Sequence, residues 1–179
     1  MVYEFCSTSK VTFPGAGISA VATSDANLAD IKGFIKHGTI GFDKLNQLRH
    51  VRFFNSDNTL ADHMQKHAAI LNNKFNAVYN ALEKSLGSCN IATWTHPEGG
   101  YFNSFNTLPG CASQAVSMCG DAGVKFTPAG ATYPYKKDPE DKNIRLAPTF
   151  ADLADIEPAV SLLALCVKIV TAKKLLASK

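Results

Sequence analysis

A chain of 179 residues with 46% hydrophobic residues can bury a core, which excludes an intrinsically disordered protein. Its charged share of 18% falls below the roughly one quarter usual in soluble domains, pointing to surface covered by a partner subunit or by further sequence. The formal net charge of +3, with no basic cluster larger than Lys136-Lys137, argues against nucleic acid or a membrane surface as partner.

The opening residues Val2 to Cys6 predict a strand that ends in the polar run Ser7-Thr8-Ser9-Lys10. Turn residues Pro14, Gly15 and Gly17 follow, then a second strand over Ile18 to Thr23. Ser24 or Asp25 can cap a helix over Ala26 to Lys36 that Gly38 closes. Phe42 to Phe54 predicts another helix. The strongest signal lies between Thr59 and Leu86, where Leu60, Met64, Ala68, Leu71, Phe75, Val78 and Leu82 step by three and four residues up to Gly87. Short strands are expected over Ile91 to Trp94, Tyr101 to Phe105, Val124 to Thr127 and Asn143 to Ala147, with a helix over Ala112 to Asp121 among them. A last helix runs from Asp155 to Leu176, with Pro158 in its first turn.

The mixture is α+β, with the long helix as a spine. Residues 1–58 are expected to be the tail of one domain and residues 59–179 a small domain of their own. An opening pair of strands with no preceding sheet leaves unpaired edges, which suggests that further sequence precedes them. Five cysteines without a C-x-x-C pair, Cys6, Cys89, Cys111, Cys119 and Cys166, fit reduced thiols in a cytoplasmic protein. Neither a signal peptide nor a membrane span is expected: the N-terminus lacks a basic region, and Val160 to Val170 is short and carries Lys168.

Three places carry candidate chemistry. A lysine held in a site can lose its proton and form a Schiff base with an aldehyde, and the hydroxyls before Lys10 suit an anionic phosphate. Arg145, in the apolar strand Asn143-Ile144-Arg145-Leu146-Ala147, needs an anionic partner, either a carboxylate ligand or an internal salt bridge. Gly99-Gly100 in Pro97-Glu98-Gly99-Gly100-Tyr101-Phe102 suits a turn that passes close beside another element, or an ordinary hairpin. Other motifs are weaker. Gly15-Ala16-Gly17-Ile18-Ser19-Ala20 matches a dinucleotide fingerprint but precedes a strand rather than a helix. His63 and His67 lack a third metal ligand and are expected as an exposed pair on a solvated face, so no metal is assigned. Hydrolase elbows and P-loops are absent from the sequence.

Ser7-Thr8-Ser9-Lys10, the Gly99-Gly100 turn and Asn143-Ile144-Arg145, in this order and spacing, resemble the C-terminal part of class I, fold-type-I aminotransferases dependent on pyridoxal phosphate. The blocks Phe42 to Phe54 and Thr127-Pro128-Ala129-Gly130-Ala131-Thr132-Tyr133-Pro134 look like the divergent aspartate-aminotransferase-like subgroup of bacteria. The resemblance covers essentially the whole chain. It implies an α+β small domain preceded by the last strands and helices of the α/β large domain. It further implies that Lys10 holds pyridoxal 5'-phosphate and shuttles the proton, that Ser7 and Ser9 bind the cofactor phosphate, and that Arg145 clamps the substrate carboxylate. Amino acids and 2-oxo acids would be the substrates, with aspartate or glutamate favoured. The enzyme would be a homodimer in which Thr39 to Asn46 reaches the neighbouring subunit, and Lys44, Asn46 and Arg49 are candidates for contacts there. One departure stands out: the family's phosphate-binding arginine beyond the lysine has no counterpart in Phe13-Pro14-Gly15-Ala16-Gly17-Ile18. The family's remaining cofactor contacts precede the lysine, so this chain needs the missing N-terminal half of the enzyme to complete a site. The rival expectations are a non-catalytic C-terminal fragment and the sensing half of a regulator with the same fold.

Overall fold

The computed structural model describes residues 2–55 and 58–177. Two compact units divide the chain, Met1–Ala68 and Ala69–Lys179, and the α+β mixture expected from the sequence is present in the element order.

In the first unit, β1 (Glu4–Ser7) and β2 (Ser19–Ala22) form an antiparallel pair whose register sets Ser7 opposite Ser19. Two helices follow, α1 (Asp25–Gly38) and α2 (Lys44–Phe53). Asp43 caps α2 by accepting the Asn46 amide at 2.9 Å, which is why that helix starts two residues later than Phe42. Ser24 precedes α1 but makes no side-chain capping bond. The long helix α3 (Leu60–Leu86) begins in this unit. Its first turn is closed reciprocally: Asp62 Oδ2 accepts from the Thr59 hydroxyl and amide, and Thr59 Oγ1 accepts from the Asp62 amide.

The second unit is built on a three-stranded antiparallel sheet in the order β3 (Ala92–Trp94), β4 (Asn103–Thr107), β5 (Asn143–Leu146). Phe105 pairs with Ile144, and one residue along, Ser104 pairs with Arg145. Period-two alternation therefore sends Phe105, Ile144 and Leu146 to the core and Ser104 and Arg145 to the other face. Val78, Leu82 and Leu86 of α3 join that core, as do Ala112, Ala115 and Cys119 of α4 (Ala112–Asp121) and Leu163, Val167 and Val170 of α5 (Leu153–Ala177). Cys119 lies within it, and burial, with a hydrogen bond to Cys166, pushes its thiol up to about 12. That thiol is a small packing group and not a nucleophile. Among the described residues, no helix is long and apolar enough to cross a membrane.

Two sequence expectations fail in this unit. Val124 to Thr127 is not a strand: the Val124 amide is taken by the Cys119 carbonyl at the end of α4, and Pro128 has no N–H to offer a ladder. Phe126 packs against the core from an irregular segment instead. Helix α5 starts at Leu153, so Pro158 falls in the second turn, where its missing N–H forfeits the bond to the Ala154 carbonyl.

Candidate functional site

Lys10 stands on a tight turn between β1 and β2. The Thr8 carbonyl accepts from the amides of Val11 and Thr12 at 2.8 and 2.9 Å, so the chain reverses around Ser9 and Lys10. Thr8 also closes the base of the turn from both sides. Its amide donates to the Ile18 carbonyl at 2.8 Å, and its hydroxyl oxygen accepts from the Ile18 amide at 2.8 Å. Ser7 and Ser9 bring their hydroxyl oxygens within 2.7 Å of each other, both exposed, and the Ser9 amide donates to Ser7 Oγ. Gly17 lies directly against this pair: a Cβ there would sit 2.7 Å from Ser9 Oγ and 3.0 Å from its backbone. Only a residue without a side chain lets the chain pass this close to Ser9.

The second helix holds the turn in place. Asn46 Nδ2 donates to the Gly17 carbonyl at 3.1 Å, and the Arg49 guanidinium lies 5.9 Å from the centre of the Phe13 ring. Lys44, the first residue of α2, is exposed. His50 was not anticipated from the sequence. It is 6% exposed, its Nδ1 lies 2.9 Å from the Asn46 carbonyl, and its Nε2 lies 2.8 Å from Thr12 Oγ1. A histidine four residues after a helix N-terminal Asn carries no distinguishing pattern, so only the fold reveals it.

His63 corrects another expectation. It is not part of an exposed pair on a solvated face: it is half-buried, its Nε2 lies 2.8 Å from the Val11 carbonyl, and it meets Phe53 and Phe54 edge-on. His67 lies against it with the rings tilted and their centres 4.5 Å apart. The end of α2 turns its phenylalanines onto the first turns of α3, and the Lys10 turn presents a carbonyl that needs a donor. Among the described residues, no group of three potential ligands could hold a metal ion.

Arg145 belongs to the second unit. Its guanidinium lies 4.4 Å from the centre of the Phe102 ring, so the glycine-turn motif and the arginine motif, distant in sequence, meet in space. Of the two readings of Gly99-Gly100, the structure has the hairpin connection, between the antiparallel β3 and β4, and not the close passage: a Cβ on either glycine meets open space, and what the turn demands is the positive φ of +91° at Gly100. Arg145 Nε is buried with no hydrogen-bond partner, and a buried donor left unpaired is costly. The arginine borders an open cleft of about 620 Å³, shared with Phe126, Pro148, Ala151, Asp155 and Pro158. Asn143, two residues before it, is fixed by Thr132 Oγ1 at 2.6 Å and by the Gly130 amide on its carbonyl at 3.2 Å. The block Thr127 to Pro134 thus straps the strand that carries Arg145. Lys74 of α3 holds the loop bordering the cleft through the carbonyls of Thr149 and Ala151 at 2.9 and 2.6 Å.

The α+β chain thus carries a lysine turn with paired hydroxyls in one unit and an arginine with an unpaired donor in the other. The family described as aspartate amino-transferase matches residues 1–179, and the chain belongs to that family. It is 46% identical over 178 residues to an aminotransferase-family protein of Mycolicibacterium smegmatis, covering 98% of this chain and 41% of that protein. It is 41% identical over 171 residues to an aspartate aminotransferase of Corynebacterium glutamicum, covering 96% and 40%. The crystal structure of an aspartate transaminase from C. glutamicum superposes with a TM-score of 0.91 at 40% identity, over 96% of this chain and 41% of that one. An α-aminoadipate aminotransferase from Thermus thermophilus, solved with N-(5'-phosphopyridoxyl)-L-leucine, matches 95% of this chain and 42% of its own at a TM-score of 0.77. At 20% identity that likeness speaks for the fold alone. The chain spans about two fifths of the length of these relatives.

Proposed function

We propose that this chain supplies the lysine, the phosphate hydroxyls and the substrate-carboxylate arginine of an aminotransferase that uses pyridoxal 5'-phosphate and moves an amino group from an amino acid to a 2-oxo acid. The observation that carries the reading is the Ser7–Ser9 hydroxyl pair beside Lys10, with Gly17 packed directly against Ser9. This donor set fits a phosphorylated aldehyde: two hydroxyls for the phosphate and one primary amine for the carbonyl carbon. The cofactor's ring, when bound, supplies an electron sink for charge developing at the substrate α-carbon.

In this reading, Lys10 would be the amine that holds the cofactor and, once freed, the base that carries the proton at the substrate α-carbon. Ser7 and Ser9 hold the phosphate by hydrogen bonds and so fix the carbonyl end within reach of the lysine. Arg145 grips the substrate α-carboxylate in a fork of two parallel bonds, with the Phe102 ring backing its guanidinium. An acidic substrate, aspartate or glutamate, is favoured by the match to the C. glutamicum aspartate aminotransferase. Residues 1–58 form the end of the large cofactor-binding domain and residues 59–179 the small domain, and the working enzyme is a cytoplasmic homodimer completed by sequence that precedes Lys10 in the family. The segment Thr39 to Asn46 faces the neighbouring subunit, with Lys44 and Arg49 near its substrate; Ile40 at 102% and Phe42 at 60% exposed suit a segment covered in an assembly.

The test is titration of the purified chain with pyridoxal phosphate, then borohydride reduction and peptide mapping. A saturable visible band with the reduced label on Lys10 alone supports the assignment. Weak label scattered over many lysines overturns it for this chain.

A further inference from the structure

Among the described residues of the unit Met1–Ala68, His50 is the only buried side chain, and every polar contact it makes leads towards the Lys10 turn or its own helix. A carbonyl oxygen only accepts, so the 2.9 Å approach of Nδ1 to the Asn46 carbonyl puts the ring proton on Nδ1. With that proton on Nδ1, the Nε2 of the neutral ring is an acceptor facing two threonine hydroxyls of the turn, Thr12 at 2.8 Å and Thr8 at 3.5 Å. Thr12 Oγ1 also lies 3.1 Å from Thr8 Oγ1, and Thr8 is the residue that ties both strands of the turn to Ile18. The chain of contacts runs from the α2 backbone through His50, Thr12 and Thr8, and Lys10 stands between those two threonines. The Phe13 ring meets His50 edge-on at 5.2 Å and closes the side of the imidazole. His63 makes a separate hold on the same turn through the Val11 carbonyl.

We infer that His50 is a positioning residue: through Thr12 and Thr8 it fixes the turn that presents Ser7, Ser9 and Lys10 to a phosphate-bearing aldehyde. The inference rests on the cofactor reading above and goes beyond it by assigning the orientation of Lys10 to a residue that touches neither cofactor nor substrate. Among the described residues of this unit no apolar side chain is fully buried; Phe13, Phe53 and Phe54 pack edge-on beside the turn, and the directional hold on it comes from polar contacts such as that of His50 with Thr12. Misplacing a reacting group by an ångström costs up to about a hundredfold, which makes such a brace consequential.

Three variants of the full chain separate positioning from packing. His50→Phe keeps the ring and removes the acceptor, His50→Gln keeps an acceptor for Thr12, and Thr12→Val removes the hydroxyl at nearly constant shape. Two quantities are read: amide hydrogen exchange at Val11 and Thr12 without cofactor, and the rate of borohydride-trapped labelling of Lys10 by pyridoxal phosphate. His50→Phe and Thr12→Val are each expected to speed that exchange and slow the labelling by about tenfold. Together they should do no more than either alone, while His50→Gln restores both readouts. Equal behaviour of the Phe and Gln variants, or labelling by His50→Phe within about twofold of wild type, overturns the proposal and leaves a packed core histidine. A wild-type chain whose Lys10 takes no label sinks the cofactor reading and this role with it. A labelled wild type with an indifferent His50→Phe sinks the positioning role alone.

Discussion

Leu82, Leu163 and Val167 are fully buried in the unit Ala69–Lys179, whereas the buried side chain of Met1–Ala68 is a histidine, and Phe5 and Leu45 there stand 77% and 79% exposed. One unit is held by apolar packing around a sheet. The other combines threonine, histidine, asparagine and backbone contacts around a turn with half-buried ring contacts among Phe13, Phe53 and Phe54. Apolar burial contributes about 25 cal/mol per Å² wherever it occurs, and Met1–Ala68 has little of it to draw on. The difference shows where the two kinds of work are done. The polar unit shapes a lysine and its neighbours at little stability of its own, and the apolar unit holds an arginine on a strand whose opposite face is core. Functional turns are commonly drawn from the less stable parts of a structure.

The sharpest way to break that comparison is Lys10→Ala. In the enzyme assembled as proposed, it should lower amino transfer by about 10⁴-fold, the upper range for a positioned acid–base group. The thermal midpoint of the apo chain should not move, because the exposed Lys10 side chain fills no core. A rate within tenfold of wild type would remove the lysine from the chemistry.

Next in size is Leu82→Ala. Deleting a side chain at 0% exposure should cost about 2–5 kcal/mol in urea unfolding. The same change at Leu45 should stay within about 0.5 kcal/mol. Comparable costs at the two positions would mean that the first unit has a core of its own under solution conditions.

Arg145→Lys should come third. It keeps the charge but loses the fork, so affinity for a substrate carboxylate should fall by about tenfold to a hundredfold, at about 1.4 kcal/mol per decade. The loss should appear in KM for the amino acid and leave cofactor labelling of Lys10 intact. A KM unchanged by the substitution would assign the unpaired Nε to something other than the substrate.

Much of this was legible in the chain before any coordinates. The period of three and four in α3 survives in the structure because the same residues that set the period, Phe75, Val78 and Leu82, are buried. Ala112 to Asp121 forms the helix expected of it. The motif that ends in Lys10 sits at the strand end foreseen for it, since Ser7 closes β1. What sequence could not provide was tertiary pairing. Nothing local says that Phe102 lies against Arg145, because that contact is set by the register of β4 on β5. His50 and His63 look like ordinary helical histidines until the Lys10 turn folds over them. Val124 to Thr127 has a strand's composition but lacks donors for a ladder, one taken by α4 and another absent at Pro128.

The smallest effect compares two carboxylates, one in each unit. Asp62 is held below its ordinary value of 3.8, first by the Thr59 hydroxyl and then by the Thr59 amide. At Asp138, burial pushes the carboxyl up, but the amides of Asn143, Lys142 and Glu140 together outweigh it and hold it below 3.8. A folded-state pKa below the unfolded one adds stability that is present above the unfolded value and is lost as pH falls through the folded one. Both units should therefore weaken in the acid range below about pH 4, each through its own carboxylate. Asp138→Asn should flatten the acid limb of amide protection in β5, whose first residue Asn143 donates to it, and leave the start of α3 unchanged. Asp62→Asn should do the reverse. If either substitution flattens both limbs, the two units unfold together in acid, and the contrast between a polar unit and an apolar one describes packing and not cooperativity.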